Sequence, residues 1–439
     1  MHGHGHHHHR PRTPGAERTR RWFMNRSLLL GGAAAMATMT GVSGCSDGAS
    51  GASTAAPSGA PSAMPGGGGG MGPGATEVRY ADFVGVTTDG KVRDDLYAIH
   101  STGVSTAALV KAAQSFLDGL SSTEKRSAQY DVQDDEWLAW SNVDGYARKG
   151  VRMGDLTDTQ RELGFALLGA ALSADGLTRS RNIMKLNAYL GEYNGGGRET
   201  LTEGHYYFTF MGTPSTTKPW GFQYEGHHLA INYFVLGDQV VMTPTFMGSE
   251  PTSATYQGEK ITLFGEETTA GLTLLRSLTD AQRAKVISSE QKAGDNLRAG
   301  AGQDNLRLAY QGLAAADFTD AQRDRLLDLV RVYVGTMADA HAEVRMREVE
   351  EHLDSTYFHW IGGTKDSSAF YYRVHSPVVL IEYDAQSPLA YGNKSSGEGG
   401  GMGGPGGTPT QQHIHTIVRT PNAGDYGVDL LRLHLENDH

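Results

Sequence analysis

Apolar residues follow two different periods along this chain. From 206 to 246 they crowd into short runs rich in aromatic and β-branched side chains, at 206–211, 221–235 and 240–246. Gly237-Asp238 separates the last two runs as a turn. A second set of strand-like runs follows at 370–375, 378–383 and 413–419. Elsewhere the spacing lengthens to that of a helix. Leu163, Leu167, Leu168, Ala171 and Leu172 form one stripe, and Leu326, Leu327, Val330 and Val334 form another. Helical patterning covers about 265–299 and 318–350. Strand groups and helix groups thus alternate in blocks. This predicts an α+β fold with a largely antiparallel sheet flanked by helices, not a doubly wound one.

A short signal recurs four times: Ser121-x-x-Glu124, Thr157-x-x-Gln160, Thr279-x-x-Gln282 and Thr319-x-x-Gln322. Each reads as a capping box, in which a hydroxyl accepts a free backbone N–H and the Glu or Gln reaches back. A repeat array would need a fixed period, and these spacings are irregular, so independent helix starts are the favoured reading. Asp425-Tyr426-Gly427 before Leu430 and Leu431 predicts a turn into a closing helix.

The two ends of the pattern differ from its middle. Residues 1–44 are basic and irregular, with six His among the first nine positions. Thr19-Arg20-Arg21-Trp22-Phe23-Met24, followed by a weakly apolar stretch, looks like a twin-arginine export signal. Val42-Ser43-Gly44-Cys45 looks like a lipobox, and Cys45 is the chain's one cysteine. Residues 45–76 are almost all Gly, Ser, Ala and Pro, a lipid-anchored flexible linker with too little apolar content to fold. Residues 77–439 read as one domain, interrupted by a Gly-rich loop insertion at 395–409. The expected location is the outer face of a bacterial cytoplasmic membrane or the cell envelope.

Composition narrows the chemistry. The 439 residues carry 38 Lys+Arg against 49 Asp+Glu, a net charge of −11. Loss of residues 1–44 removes six Arg and Glu17, leaving 32 basic against 48 acidic residues and a net of −16. That excludes phosphate-driven nucleic-acid binding and leaves the lipid anchor as the membrane contact. One Cys excludes a disulfide framework, a Cys-based zinc cluster and, given its place, a nucleophilic thiol. There is no Gly-x-Ser-x-Gly elbow, Walker loop or His-Glu-x-x-His.

The histidines carry the main signal. His413 and His415 flank Ile414, so on a strand they share a face, about 6–7 Å apart at Cα. Two neutral imidazoles so placed can converge on zinc, copper or iron. Glu225-Gly226-His227-His228 lies among Phe222, Tyr224, Leu229 and Ile231, where a buried acid or imidazole needs a partner. Tyr371, Arg373 and His375 align on one face, and Glu382 follows in the next apolar strand. The expected site has His227 or His228, His413 and His415 as metal ligands, with His375 as a fourth ligand or an outer donor. Glu225 and Glu382 would be the general base and a ligand-orienting acid, with Arg373 beside them. Metal-dependent hydrolysis comes first and redox chemistry second. One alternative is a non-catalytic binding lipoprotein for a small-molecule or polymer ligand, with Tyr206, Tyr207, Trp220 and Tyr224 lining a groove; another is that the polar cluster only supports the fold. His341 and His352 read as solvated.

The run Trp220-Gly221-Phe222-Gln223-Tyr224-Glu225-Gly226-His227-His228-Leu229-Ala230-Ile231-Asn232 resembles a segment of the uncharacterised family known as domain of unknown function 3500. So do Thr243-Pro244-Thr245-Phe246-Met247-Gly248, Tyr371-Tyr372-Arg373-Val374-His375, Ile381-Glu382-Tyr383-Asp384, His413-Ile414-His415-Thr416 and Asp425-Tyr426-Gly427-x-Asp429-Leu430-Leu431-x-x-His434. The likeness spans roughly residues 105–436. Gln412 stands where the resemblance leads one to expect Asn, and the preceding Gly-rich insertion is longer. The resemblance implies family membership and no assigned activity.

Overall fold

The computed structural model describes residues 78–196, 198–391 and 407–437. The export signal, Cys45, the linker and most of the Gly-rich insertion lie outside the described residues. Eight strands build the sheet that carries the site: β1 (Tyr206–Gly212), β2 (Trp220–Gly226), β3 (Leu229–Leu236), β4 (Thr245–Ser249), β5 (Tyr357–Gly362), β6 (Phe370–His375), β7 (Leu380–Ala385) and β8 (Ile414–Arg419). They pair antiparallel in the order β1-β2-β3-β4-β8-β7-β6-β5. The α+β expectation and the largely antiparallel sheet therefore hold. The helices that bear on the argument are α1 (Ala107–Gly119), α2 (Asp158–Ala171), α3 (Ala174–Tyr193), α4 (Gly265–Ser277), α5 (Asp320–Val334), α6 (Asp339–Glu351) and α7 (Val428–Asn437). None among the described residues is long and apolar enough to cross a membrane.

The sheet is two copies of one design joined at β4 and β8. Phe208 pairs with Tyr224 in β1–β2, and Phe358 with Val374 in the strand pair β5–β6 that is its counterpart 150 residues later. In each half, a short strand runs parallel to the outermost long strand (129–130, 287–289) and another runs antiparallel (151–152, 313–314). Phe222 stacks on Tyr233 at 5.3 Å, and Tyr372 stacks on Tyr383 at 5.0 Å. Gly150 and Gly312 both take positive φ, and a Cβ at either would strike the carbonyl oxygen of Phe208 or Phe358. Two like halves that meet through antiparallel strands are related by a local two-fold axis.

The four capping boxes all form. They belong to this duplication and are not independent helix starts. Gln160 Nε2 donates to Gly119 O and Glu124, and Gln322 Nε2 donates to Ser277 O and Gln282. Each pair of boxes thus locks the end of one helix to the start of another. The period is hidden because connections differ in length: 131–150 in the first half against 290–312 in the second.

Three boundaries differ from the expectation, the first being that the run 240–246 splits into a short strand, Gln239–Val241, and the start of β4. The run 221–235 is two strands, because His227-His228 forms a hairpin turn with His228 at φ 63°. The patterning over 265–299 covers α4 and a short helix, Asp280–Val286; the rest is irregular chain. Strand β5 and helices α1 and α3 had no distinct signal.

The two sheet faces differ in character. One packs Phe208, Phe210, Phe222, Tyr224 and Tyr233 against helical leucines such as Leu167, Leu274 and Leu329. Tyr206, Trp220 and Tyr224 are fully buried here, so they form core and not a ligand groove. The other face is covered mainly by irregular chain, 131–150 and 290–312, with Trp137, Trp140, Phe246, Ile417 and Tyr426 between. Irregular chain brings unpaired backbone groups, which need partners when buried. The sheet supplies them from side chains. Ser141 N donates to Glu225, Arg298 N and Ala299 N to Glu382, and Asn296 N and Leu297 N to Asp384. Arg419 returns donors to Ala299 O and Gly300 O.

Candidate metal centre

His228, His413 and His415 form a group that could hold a metal ion: one ring nitrogen from each lies within 4.8 Å of the others. Two elements deliver them. The β2–β3 turn carries His228, whose backbone is pinned by its N–H to Asn142 O and by its carbonyl to Gly248 N. The start of β8 carries His413 and His415, two residues apart and so on one face. Their Nε2 atoms lie 2.9 Å apart. His228 and His413 are buried and His415 half-buried.

The strand between them decides whether the rings can meet. At Gly248 in β4, a Cβ would lie 2.8 Å from His415 Cδ2 and 3.2 Å from His228 Cδ2. Only a bare backbone lets both imidazoles pack over β4. Gly226 plays a similar part at the turn, where a Cβ would enter the Tyr206 ring.

Surrounding groups fix the rings. His413 Nδ1 lies 2.8 Å from Ser387 O. A carbonyl can only accept, so Nδ1 carries the proton and Nε2 keeps its lone pair for the cluster. Glu250 lies 3.9 Å from His413 and is itself held by backbone N–H groups of Leu389, Ala390 and Tyr391. His227 Nδ1 pairs with Asn187 Oδ1 at 2.7 Å, and its ring stacks on His228 at 3.8 Å. Burial, then the neighbouring imidazoles, holds His228 and His415 well below the ordinary imidazole value. Burial takes His227 down to about 3. Neutral rings are the state a metal requires.

The other sequence candidates go elsewhere. His227 stands beside the three-His group, not in it. Glu225 accepts from Arg148 and Ser141, and burial pushes it up to about 7 against the pull of Arg148. Glu225 and His227 do not share a strand face, because the turn intervenes. Glu382 takes the Tyr371 hydroxyl at 2.5 Å and two loop N–H groups; burial raises it. Arg373 is opposite Glu382 in register but donates to Gln311 and Ala309 O. His375 is not in the cluster. It pairs with Leu380 in β7, whereas His415 pairs with Asp384, four residues along. It packs on Tyr310, and burial takes it down to about 3.

Asn187, Gly248 and Glu250 were missed. Asn187 looks like any polar residue of a helix, and neither Gly248 nor Glu250 belongs to a ligand-spacing motif. The pairing of β4 with β8 gives Gly248 and Glu250 their meaning, and the packing of α3 against the β2–β3 turn gives Asn187 its own. His341, expected to be solvated on its highly charged helix, is buried.

No curated protein and no solved structure matches the chain. The family model described as protein of unknown function (DUF3500) matches residues 102–428, a span that contains all three clustered histidines and both halves of the sheet, and the chain belongs to that family.

Proposed function

We propose that His228, His413 and His415 bind a transition metal, and that the protein is a metal-dependent enzyme of the cell envelope. The observation that carries this is the convergence of three imidazoles from two separate segments over a glycine. Three protein ligands leave a position open for water or substrate, as in catalytic rather than structural sites. Zinc there would support hydrolysis by lowering the pKa of bound water, the first reading. Copper or iron on the same imidazoles would support redox chemistry, the second. Glu250, not Glu382, places a carboxyl group next to His413, where it can orient the ring. Glu225 is less suited to be a base, since Arg148 and Ser141 already occupy it.

Export and lipid attachment at Cys45 remain part of this proposal and rest on the sequence. The net charge of −16 after loss of residues 1–44 suits a solvated protein tethered by lipid, and nucleic acid is not a proposed partner.

The test is metal content. The protein from residue 77 onward, free of the N-terminal His tract, would be analysed by plasma mass spectrometry beside a His413→Ala/His415→Ala variant, with circular dichroism as the folding control. Near-stoichiometric zinc, copper or iron that the variant lacks supports the proposal. A folded protein that holds none, even after incubation with each metal, overturns it.

A further inference from the structure

A second site lies on the opposite side of the sheet. A cavity of about 490 Å³ sits between the helical layer and β4 and β8. Met247 and Thr416 face it, while their chain neighbours Gly248 and His415 face the other way, so the sheet separates it from the histidine cluster. The hairpin tip related to His227-His228 by the internal duplication is Pro377-Val378, and Val378 lines this cavity. The duplicated corner thus carries histidines in one half and an apolar wall in the other.

Four features point to a ligand. The volume lies in the range that encloses a small organic molecule. The walls include Met242, Met247 and Met337, whose flexible thioethers adapt to irregular apolar shapes. The segment 96–102 closes one side as a strap, pinned by Tyr97 OH to Pro421 O, His100 N to Gln239 and Thr102 Oγ1 to Asp238 O. A pinned strap holds the space open. Finally, His341 of α6 lines the cavity, is only 7% exposed, and its ring makes no hydrogen bond among the described residues. It is the only polar ring of α6 buried there, and its ring nitrogens stay accessible from the cavity, so a ligand hydroxyl or carbonyl can reach them.

We propose that this cavity binds a small neutral molecule, mostly apolar, with one hydroxyl or carbonyl group that bonds to His341. Cations are not available inside for a carboxylate. Arg345 is taken by Glu348, Val378 O and Thr420, and Arg179 by Glu266 and Glu267. Arg347 lines the cavity but is exposed, and Glu348 and Glu351 outnumber it there. The proposal stands whether or not the histidine cluster holds metal.

The test uses the full chain and the neutral fluorophore N-phenyl-1-naphthylamine, with 1-nonanol, 2-nonanone, nonane and nonanoate as competitors. Saturable binding is expected, with displacement by nonanol or nonanone ahead of nonane and nonanoate. Met337→Trp, or Val240→Phe if that variant does not fold, should weaken the fluorophore at least about ten-fold by filling the space. His341→Phe should weaken nonanol or nonanone about ten-fold, the size of one lost hydrogen bond, and leave nonane unchanged. Absence of binding, or binding that both filling variants leave intact, overturns the site. Strongest displacement by nonanoate, or an unchanged nonanol affinity in His341→Phe, overturns the ligand class.

Discussion

His413 and His415 face each other through Nε2 atoms 2.9 Å apart, and Ser387 O fixes which of them keeps its lone pair. With the proton of His413 held on Nδ1, a metal can replace whatever proton lies between the rings. Nitrogen-15 spectra of the metal-free protein should show His413 as the Nδ1–H tautomer. His413→Ala or His415→Ala should lower zinc affinity by more than about 100-fold, beyond the effect of losing an outer partner. Isothermal titration at neutral pH measures it, and an unchanged affinity would remove these residues from the ligand set.

Gly248 should be the most sensitive position around the cluster that is not itself a ligand. Its Cβ would press on both His415 and His228. Gly248→Ala should destabilise the fold by about 1–3 kcal/mol, as overpacking does, and weaken metal binding as well. Gly265→Ala, which has nothing within 4 Å, is the control and should stay within about 0.5 kcal/mol. Urea unfolding of the three proteins decides the matter.

His375 should make stability depend on pH. Burial lowers it from its ordinary value of 6.5 to about 3, so the folded state keeps it neutral where the unfolded chain would protonate it. The unfolded state therefore binds the extra proton between those values. Stability is full above pH 6.5 and falls on acidification by about 1.4 kcal/mol per pH unit. Other buried histidines add to the slope, His359 among them with a value near 4. The comparison is thus between wild type and His375→Asn at pH 7 and pH 5. A variant as pH-sensitive as wild type would contradict the assignment.

Glu225 and Arg148 are both almost fully buried, 3.3 Å apart. Glu225→Ala would leave Arg148 Nε and Ser141 N without their acceptor and the Arg148 charge uncompensated, though its NH groups keep the carbonyls of Ser141, Val143 and Tyr146, at a cost of about 3–5 kcal/mol. The chain around 141–148 should then lose hydrogen-exchange protection. Glu225→Gln keeps an acceptor for Ser141 and should retain more of that protection. If Glu225→Gln instead left the fold intact and abolished an activity, the base role would return.

The duplication predicts matched effects. Gln160→Ala and Gln322→Ala each remove half of a capping box and a bond to a helix-end carbonyl. Each should cost about 1 kcal/mol or more, by similar amounts. Thermal melts in which only one of the two matters would argue that the halves are not energetically alike.

Much of this was written locally in the chain. The capping boxes signalled helix starts because their partners lie three residues apart. Alternating aromatic and β-branched residues marked seven of the eight main strands, since side chains on a strand must sort between two faces. The pair His413 and His415 was legible for the same reason. Tertiary structure alone decided the rest. His228 joins those two because β4 pairs with β8 across 165 positions of chain, Ser249 opposite Ile414. No periodicity records such a pairing. Glu382, Arg373 and His375 had the right chemistry and share the sheet, but register sent them to the loops that cover it. Local pattern set which segments are strand and helix and which residues are polar enough to matter. Which of those polar residues meet, and which merely hold buried backbone, depended on long-range register and on where irregular chain needed partners.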